Sequence, residues 1–317
     1  MVVSIISKQR VLLLGLALGL AAGLAGCSDG PSYRYPGDNT HKPLPPVIPP
    51  EGYVWTELPA PPPASQTVAE GGDLQVITHR ATFGSTRTRN YTMLFDREEK
   101  VSLWVAYPQH RVFISGSADR ADKYIYDPSV PESWQATENR GYGEYPYQRG
   151  HQIAAADRNS SQAANDQTFY MTNMTPQDGE LNGGLWANLE TWVRSRANEG
   201  GRQDTLYVVT GCWIDPVPGT GGRRDRIDDR NGVAIPDAYY KVVMRTASGK
   251  RAFPSDEDCE FVGFWVDNSE PASGDRYQEW TESVAEIERR TGFDFFPSIS
   301  NAAQNANDNP AEWAGLQ

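Results

Sequence analysis

The chain has 317 residues, 38% hydrophobic and 22% charged, a length that suits one large domain or two small ones. Nine Trp, 15 Tyr and 10 Phe are enough to build a sizeable core. A formal net charge of -12 and a pI near 4.9 exclude a protein that holds nucleic acid by bulk attraction to phosphate, though not one with a local basic patch or a bound cation.

At the N-terminus, Lys8 and Arg10 precede an uninterrupted run of Leu, Ala, Gly and Val over residues 11–26. An apolar run this short, ending in small residues, reads as an export signal rather than a membrane span. Its end, Leu24-Ala25-Gly26-Cys27, resembles the bacterial lipoprotein signal, in which the Cys is lipidated and becomes the first mature residue. Ser28 resembles the pattern that permits transport to an outer membrane. An ordinary signal peptide with an incidental Cys is the competing reading. Residues 27–72 then read as a tether. Pro43, Pro45, Pro46, Pro49, Pro50, Pro59, Pro61, Pro62 and Pro63 make it stiff and extended, with too little apolar content to fold alone. Tyr53, Val54 and Trp55 are candidates to dock on the domain that follows.

That domain is expected to begin near Leu74 and to occupy 73–300. Residues 91–95 read as a strand, 96–100 as a charged turn and 101–107 as the returning strand of a hairpin. Residues 168–174 and 206–211 are further strand candidates. Residues 182–197 read as a helix, with Leu185, Leu189 and Val193 on one stripe. Residues 239–245 and 261–266 read as later strands, and 283–291 as a short helix closed by Gly292. The remainder, 301–317, is rich in Ala and Asn and reads as a flexible tail.

With Cys27 set aside, two cysteines remain, Cys212 and Cys259. An exported chain allows them to pair, and a disulfide is the expectation; two buried thiols are the alternative, and spacing does not decide between them. No cluster of His or Cys accompanies them, which argues against zinc. The chain has four His. His41 lies in the tether, His79 near the domain edge, and His110 after a strand, where a surface or core role suffices. His151 differs in its setting, Gln148-Arg149-Gly150-His151-Gln152.

Downstream of it stand Asn173-Met174-Thr175-Pro176-Gln177 and then Asn182-Gly183-Gly184-Leu185-Trp186-Ala187-Asn188-Leu189-Glu190. The three linked pieces, RGH, NMTPQ and N-x-G-x-W-x-x-L-E, resemble the family of non-specific DNA and RNA endonucleases. Weaker similarity reaches from Trp104-Val105-Ala106-Tyr107 through Val208-Val209-Thr210-Gly211 and the stretch 233–241 to 284–296, so the resemblance covers roughly residues 75–298. It implies an α+β fold of the ββα-metal type, with a mixed central antiparallel sheet and flanking helices. It implies His151 as general base, Asn182 as direct ligand of one Mg²⁺ (Mn²⁺ being a substitute), and Glu190 as holder of that ion through water. Asn173 matches an Asn supporting the base region, grouped with Arg149 as substrate-binding. Arg120 matches an upstream Arg at the scissile phosphate, a role for which Arg140 is the other candidate. Implied partners are DNA and RNA, a membrane through the lipid anchor, and an inhibitor protein; a homodimer is left open. Two departures stand out: Gln148 where Asp is common before the Arg, and Ala154 where Pro is common after the His.

The residue types suit the chemistry. A phosphodiester repels hydroxide, and a neutral imidazole can take a proton from water near neutral pH. An amide oxygen is a suitable hard ligand for Mg²⁺, which keeps several waters. On a regular α-helix, Asn182 and Glu190 stand roughly 80° apart around the axis, close enough to face one side. Arg223, Arg224, Asp225, Arg226, Asp228, Asp229 and Arg230 form either a backbone-contacting loop or a solvated mixed-charge one. Nothing resembles a base-reading element. The other functional readings are a catalytically weak nucleic-acid-binding envelope lipoprotein of the same fold, and hydrolysis of some other phosphodiester. For the N-terminus the expected outcome is a mature chain that begins at a lipidated Cys27. Mass spectrometry of the exported protein checks it, and an unmodified N-terminus elsewhere would overturn it.

Overall fold

The computed structural model describes residues 55–121, 123–136, 147–197, 205–214, 226–227, 232–246, 259–268, 276–300 and 304. All of them belong to one compact unit, Tyr33–Gln317. Cys27, Tyr53, Val54, Arg140, most of the 223–230 stretch and most of the tail lie outside the described residues.

Its centre is a seven-stranded antiparallel sheet. The strands are β1 (Leu74–Phe83), β2 (Thr86–Asp96), β3 (Val101–Gln109), β6 (Leu206–Trp213), β9 (Ala238–Thr246), β10 (Cys259–Asp267) and β11 (Thr281–Glu282), in that spatial order. Two small ladders stand apart, β4 (Tyr147–His151) with β5 (Met174–Asp178), and β7 (Arg226–Ile227) with β8 (Val233–Ala234). The helices are α1 (Arg111–Ile114), α2 (Gln162–Gln167), α3 (Trp186–Arg196) and α4 (Val284–Thr291).

The expected hairpin is β2–β3. Its charged turn closes because Asp96 Oδ1 accepts from the backbone N–H of Glu98 and Glu99, while Lys100 takes a positive φ of 60°. Both faces of the sheet are covered, so the strands read as buried runs rather than clean alternations. Period-2 geometry still sorts the side chains. Val105, Val208, Tyr239, Val243 and Phe264 point to one face, against Trp186, Leu189 and Val193 of α3. Trp104, Val209, Tyr240, Met244 and Phe261 point to the other, against Val284 and Ile287 of α4 and against Phe295, Phe296 and Ile299. We call these the front and back faces. Helix α4 starts where Ser283 accepts from Glu286 N–H and stops at Gly292, whose φ of 75° a side chain disfavours.

Four expectations change. Residues 168–174 are not a strand: Thr168 caps the end of α2, a 3₁₀ turn covers Met171–Asn173, and β5 begins at Met174. Here side chains replace the ladder, since Thr168 Oγ1 donates to Asn165 O and Thr172 Oγ1 to Asp127. The helix over 182–197 is composite, a π-helical turn over Leu181–Leu185 followed by α3. The tail is anchored where it starts: Ile299 is buried, and the buried Gln304 donates to the carbonyls of Phe295 and Ile299.

The fourth concerns the cysteines, which are not joined. Cys212 lies on the front face and Cys259 on the back. Their β9 neighbours, Tyr239 and Thr246, are seven positions apart, or about 23 Å along the strand. A disulfide needs Cα atoms within about 7 Å.

The stretch before β1 lies against the back face. Trp55 sits under the Arg89 guanidinium, 4.8 Å from its ring centroid. Glu57 pairs with Arg89, both 1% exposed. Leu58 packs against the back cluster, and Ala60 N–H donates to Asp294 O. Arg89 also donates to Ala106 O on β3, so the pair ties this strap to the sheet. Removing one partner of a buried pair typically costs about 3–5 kcal/mol, whereas replacing both with apolar groups costs far less. We therefore expect Glu57→Ala to be strongly destabilised and the double variant Glu57→Leu/Arg89→Met to recover most of the loss. Urea unfolding of both checks this.

Candidate active site

The small β4–β5 ladder and the helix after it build one cavity of about 460 Å³ on the front side. His151 ends β4 opposite Met174, and Gly150 faces Thr175. A Cβ at Gly150 would collide with the Gln177 side chain, so only glycine lets the two strands approach this closely. Asp178 ends β5 and turns the chain, its Oδ1 accepting from the N–H of Glu180 and Leu181. The π turn and α3 follow. Two strands and a helix thus carry His151, Asn182, Glu190 and Arg194 to the same cavity, lined also by Arg120, Tyr124, Gln148 and Arg149.

The π turn matters for the geometry. It takes up one residue more than an α turn would. The eight positions from Asn182 to Glu190 then act as seven, which on an α-helix leaves them about 20° apart instead of about 80°. Trp186, Glu190 and Arg194 repeat at i, i+4 and i+8 and share that face.

Asn182 Nδ2 donates to Gln148 Oε1 at 2.8 Å. That bond fixes the amide and leaves Asn182 Oδ1 as a hard oxygen donor. Gln148, the departure from the common Asp, is thus the residue that orients Asn182. Ala154, the other departure, holds φ -69° and ψ 143°, a backbone that proline would also adopt. Among the described residues no group of three or more His, Cys, Asp or Glu could hold a metal ion. The donor set here is one amide oxygen with a carboxylate near it, which fits a cation that keeps most of its water, such as Mg²⁺.

His151 packs edge-on against Phe169, ring centroids 5.0 Å apart, with Tyr124 at 6.2 Å. Its Nε2 is enclosed and has no hydrogen-bond partner among the described residues. Burial, and then the charge of Arg120, push its pKa down to about 3. Burial also pushes the Glu190 carboxyl above its usual range and the Lys241 ammonium below, and each charge partly offsets the shift of the other. Lys241 is 1% exposed on the front face of β9, its Nζ 4.9 Å from the Trp186 ring centroid. Arg194 donates from Nε to the buried Asp157 Oδ1 at 2.8 Å, which holds it at the cavity wall.

Arg120 is exposed at the mouth, its Cζ 5.1 Å from the Phe169 ring centroid, and Arg149 lies 4.5 Å over Tyr124. Asn173 is placed differently from its expected grouping with substrate contacts. It is fully buried, Oδ1 accepting from Ile153 N–H and Nδ2 donating to the carbonyls of Ile153 and Thr168. Its amide is spent on backbone, so it braces the exit of β4 and does not reach the cavity. Arg194, Tyr124, Asp157 and Lys241 were not singled out in the sequence. Arg194 had a readable signal, its i+4 spacing from Glu190; the others come from distant segments and had none.

A model of the DNA/RNA non-specific endonuclease family matches residues 75–302. The chain belongs to that family. Its members similar to this chain include the mitochondrial nuclease EXOG of Danio rerio, 30% identical over 214 residues, 66% of this chain and 60% of that protein. The mitochondrial endonuclease G of Bos taurus is 26% identical over 302 residues, 92% and 95% of the two chains. A nuclease of Nostoc sp. is 27% identical over 219 residues, 68% and 74%. Against the EXOG relatives the matched stretch spans only about 60% of their length. Among solved structures, an EndoG/EndoGI complex matches with a TM-score of 0.58 and 24% identity, covering 71% of this chain and 88% of that one, which supports the ββα-metal fold.

The shifted imidazole makes a stability prediction for this family member. Between its folded value of about 3 and its usual 6.5, the unfolded chain binds a proton at His151 and the folded chain does not. The stability this group contributes is therefore complete above pH 6.5 and is lost as pH falls toward 3, with a slope of about 1.4 kcal/mol per pH unit. We expect His151→Asn to lack that slope. Urea unfolding of both proteins at about pH 4, 5 and 6 measures it, and equal slopes would contradict the assignment.

Proposed function

We propose that this chain is a Mg²⁺-dependent endonuclease that hydrolyses phosphodiester bonds in DNA and RNA with little sequence specificity. The observation that carries the reading is the convergence of His151, Asn182, Glu190 and three guanidiniums on one cavity built by a ββα unit. Nuclease names among the relatives support the reaction class.

Arg120, Arg149 and Arg194 supply local positive charge in an otherwise acidic chain, and their forked donors suit phosphate oxygens. Such contacts grip the backbone and read no base, which accounts for low specificity. Burial and the charge of Arg120 favour the neutral imidazole of His151, whose lone pair is then available to take a proton from the attacking water. The water oxygen bonds to phosphorus as the P–O bond to the leaving oxygen breaks. Asn182 Oδ1 would hold the divalent cation directly and Glu190 would hold it through water. When bound, Mg²⁺ supplies charge that stabilises the pentacoordinate phosphate and the leaving oxygen; Mn²⁺ has the same ligand preferences.

Attachment to a bacterial outer membrane through Cys27 belongs to the same proposal and rests on the sequence of residues 11–28. So does regulation by an inhibitor protein, for which the similar solved structure, an inhibited complex, offers an analogy.

The test is cleavage of plasmid, single-stranded DNA and RNA against Mg²⁺ concentration, on folded variants. His151→Ala should lose about 10²–10⁴-fold in rate. Asn182→Ala should weaken the cation site, so that excess Mg²⁺ recovers part of the activity, and Glu190→Gln should be a milder version of it. Arg120→Ala should lower the rate with little change in pH profile. A wild-type rate for His151→Ala would overturn the mechanism, and no cleavage by the wild type on any substrate would leave a binding protein of the same fold.

A further inference from the structure

Outside the lining of the cavity lies a buried polar cluster that the reaction itself does not use. His79 of β1 is 5% exposed and its Nε2 lies 2.9 Å from Asp127 Oδ2. Thr172 Oγ1 donates to the same Asp127 oxygen at 2.6 Å, and Ser129 N–H donates to Oδ1 at 2.8 Å. The Asp127 backbone is held as well, its N–H donating to Gln135 Oε1 and its carbonyl accepting from Gln135 Nε2. The rings of Tyr91 and Tyr170 close around His79, with centroids at 4.7 and 5.2 Å. Burial works against the Asp127 charge, but His79 and the hydrogen bonds from Thr172 and Ser129 outweigh it and hold the carboxyl below its usual range.

Asp127 ends an irregular arm that carries Arg120 and Tyr124 to the cavity. Such an arm has little ladder of its own to fix it. At its start, Asp119 N–H donates to Gln162 Oε1 and its carbonyl accepts from Gln162 Nε2. In its middle, Ile125 N–H donates to Phe169 O, and Ile125 O accepts from Met171 N–H. At its end stands Asp127. Tyr124 then packs on Phe169 at 5.6 Å and lies under Arg149. The other side of the cluster leads to the base: Thr172 precedes Asn173, whose side chain braces Ile153 two residues beyond His151.

We propose that Asp127, paired with His79 and Thr172, is a positioning residue for phosphodiester cleavage, pinning the Arg120–Tyr124 arm against the segment that braces His151. This rests on the reading of the arm as substrate-contacting. A clamp made of one hydrogen bond and one close imidazole contact to the same carboxylate oxygen fixes the arm at a point where no sheet holds it. Misplacing a substrate-binding group by about 1 Å can cost as much as 10²-fold in rate.

The test compares kcat and KM for cleavage of one single-stranded oligonucleotide by wild type, Asp127→Ala, Asp127→Asn, Thr172→Val and Thr172→Ser. The same Asp127 changes are also made in an arm-blanked background, Arg120→Ala/Tyr124→Ala. Circular dichroism and Tm establish that each is folded, and if Asp127→Ala does not fold, Asp127→Asn and Thr172→Val carry the comparison. The expected result is a fall in kcat/KM of about 10- to 100-fold for Asp127→Ala and a smaller one for Thr172→Val, restored by Thr172→Ser. In the arm-blanked background the Asp127 changes should cost nothing further, because the group they position is gone. Losses that simply add in that background would overturn the clamp, as would Asp127 variants with lowered Tm and wild-type kinetics. An arm-blanked enzyme with wild-type kcat/KM would instead overturn the underlying reading of Arg120 and Tyr124.

Discussion

The side-chain amide of Asn173 joins two segments that no strand ladder connects. It accepts from Ile153 N–H and donates to the carbonyls of Ile153 and Thr168, while its own backbone carbonyl accepts from Gln152 N–H. An amide is suited to this because it offers an acceptor and two donors in one plane, matching a peptide edge. With that brace in place, the chain leaves β4 at His151 in one direction and β5 starts at Met174 directly beside it. Everything later in the site inherits this arrangement: the Asp178 turn, the π turn with Asn182, and the face of α3 that carries Glu190 and Arg194. A leucine of similar size would fill the space and satisfy none of these backbone groups.

A sheet covered on both faces has no wet side on which to place charge, so the buried charged groups near this site are held by partners inside the protein. Arg158 is fully buried and spends its guanidinium on Asn90, Gln109 and the carbonyls of Asn90, Pro108 and Asp157. Asp157 in turn holds Arg194. Lys241 lies among Trp186, Glu190 and Asp157 beneath the cavity floor. A chain of acidic net charge thereby presents three guanidiniums to one cavity. The lone pair of His151 stays open for the same reason, since burial and Arg120 both disfavour its proton.

Much of this was legible in the sequence where one short segment carried the signal. Strands β3, β6, β9 and β10 carry apolar runs, as does the second half of β2, and α4 has a Ser at its start and a Gly at its end. The motif pieces around His151, Asn182 and Glu190 pointed to residues that share one cavity. What was not legible depends on geometry between segments. Residues 168–174 have strand-like composition, yet Thr168, Thr172 and Asn173 use their side chains locally. The spacing of Cys212 and Cys259 carries no record of which face each occupies. The π turn at Gly183 and Gly184 has no periodicity to betray it, though it decides how Asn182 and Glu190 face one another. Tyr124, Asp127 and Asp157 reach the site, or its support, from segments whose sequences carry no motif.

The strap of Trp55, Glu57 and Leu58 is seated on the back face of the sheet, opposite the cavity. That placement sets a direction. The chain therefore enters the described domain at Trp55 on the back of the sheet, and the open side of the cavity faces away from that entry point. Because the seat is a buried ion pair and not a loose hinge, a pull on the upstream chain is delivered to β2 through Arg89 and bears on the back of the sheet, well away from the ββα unit.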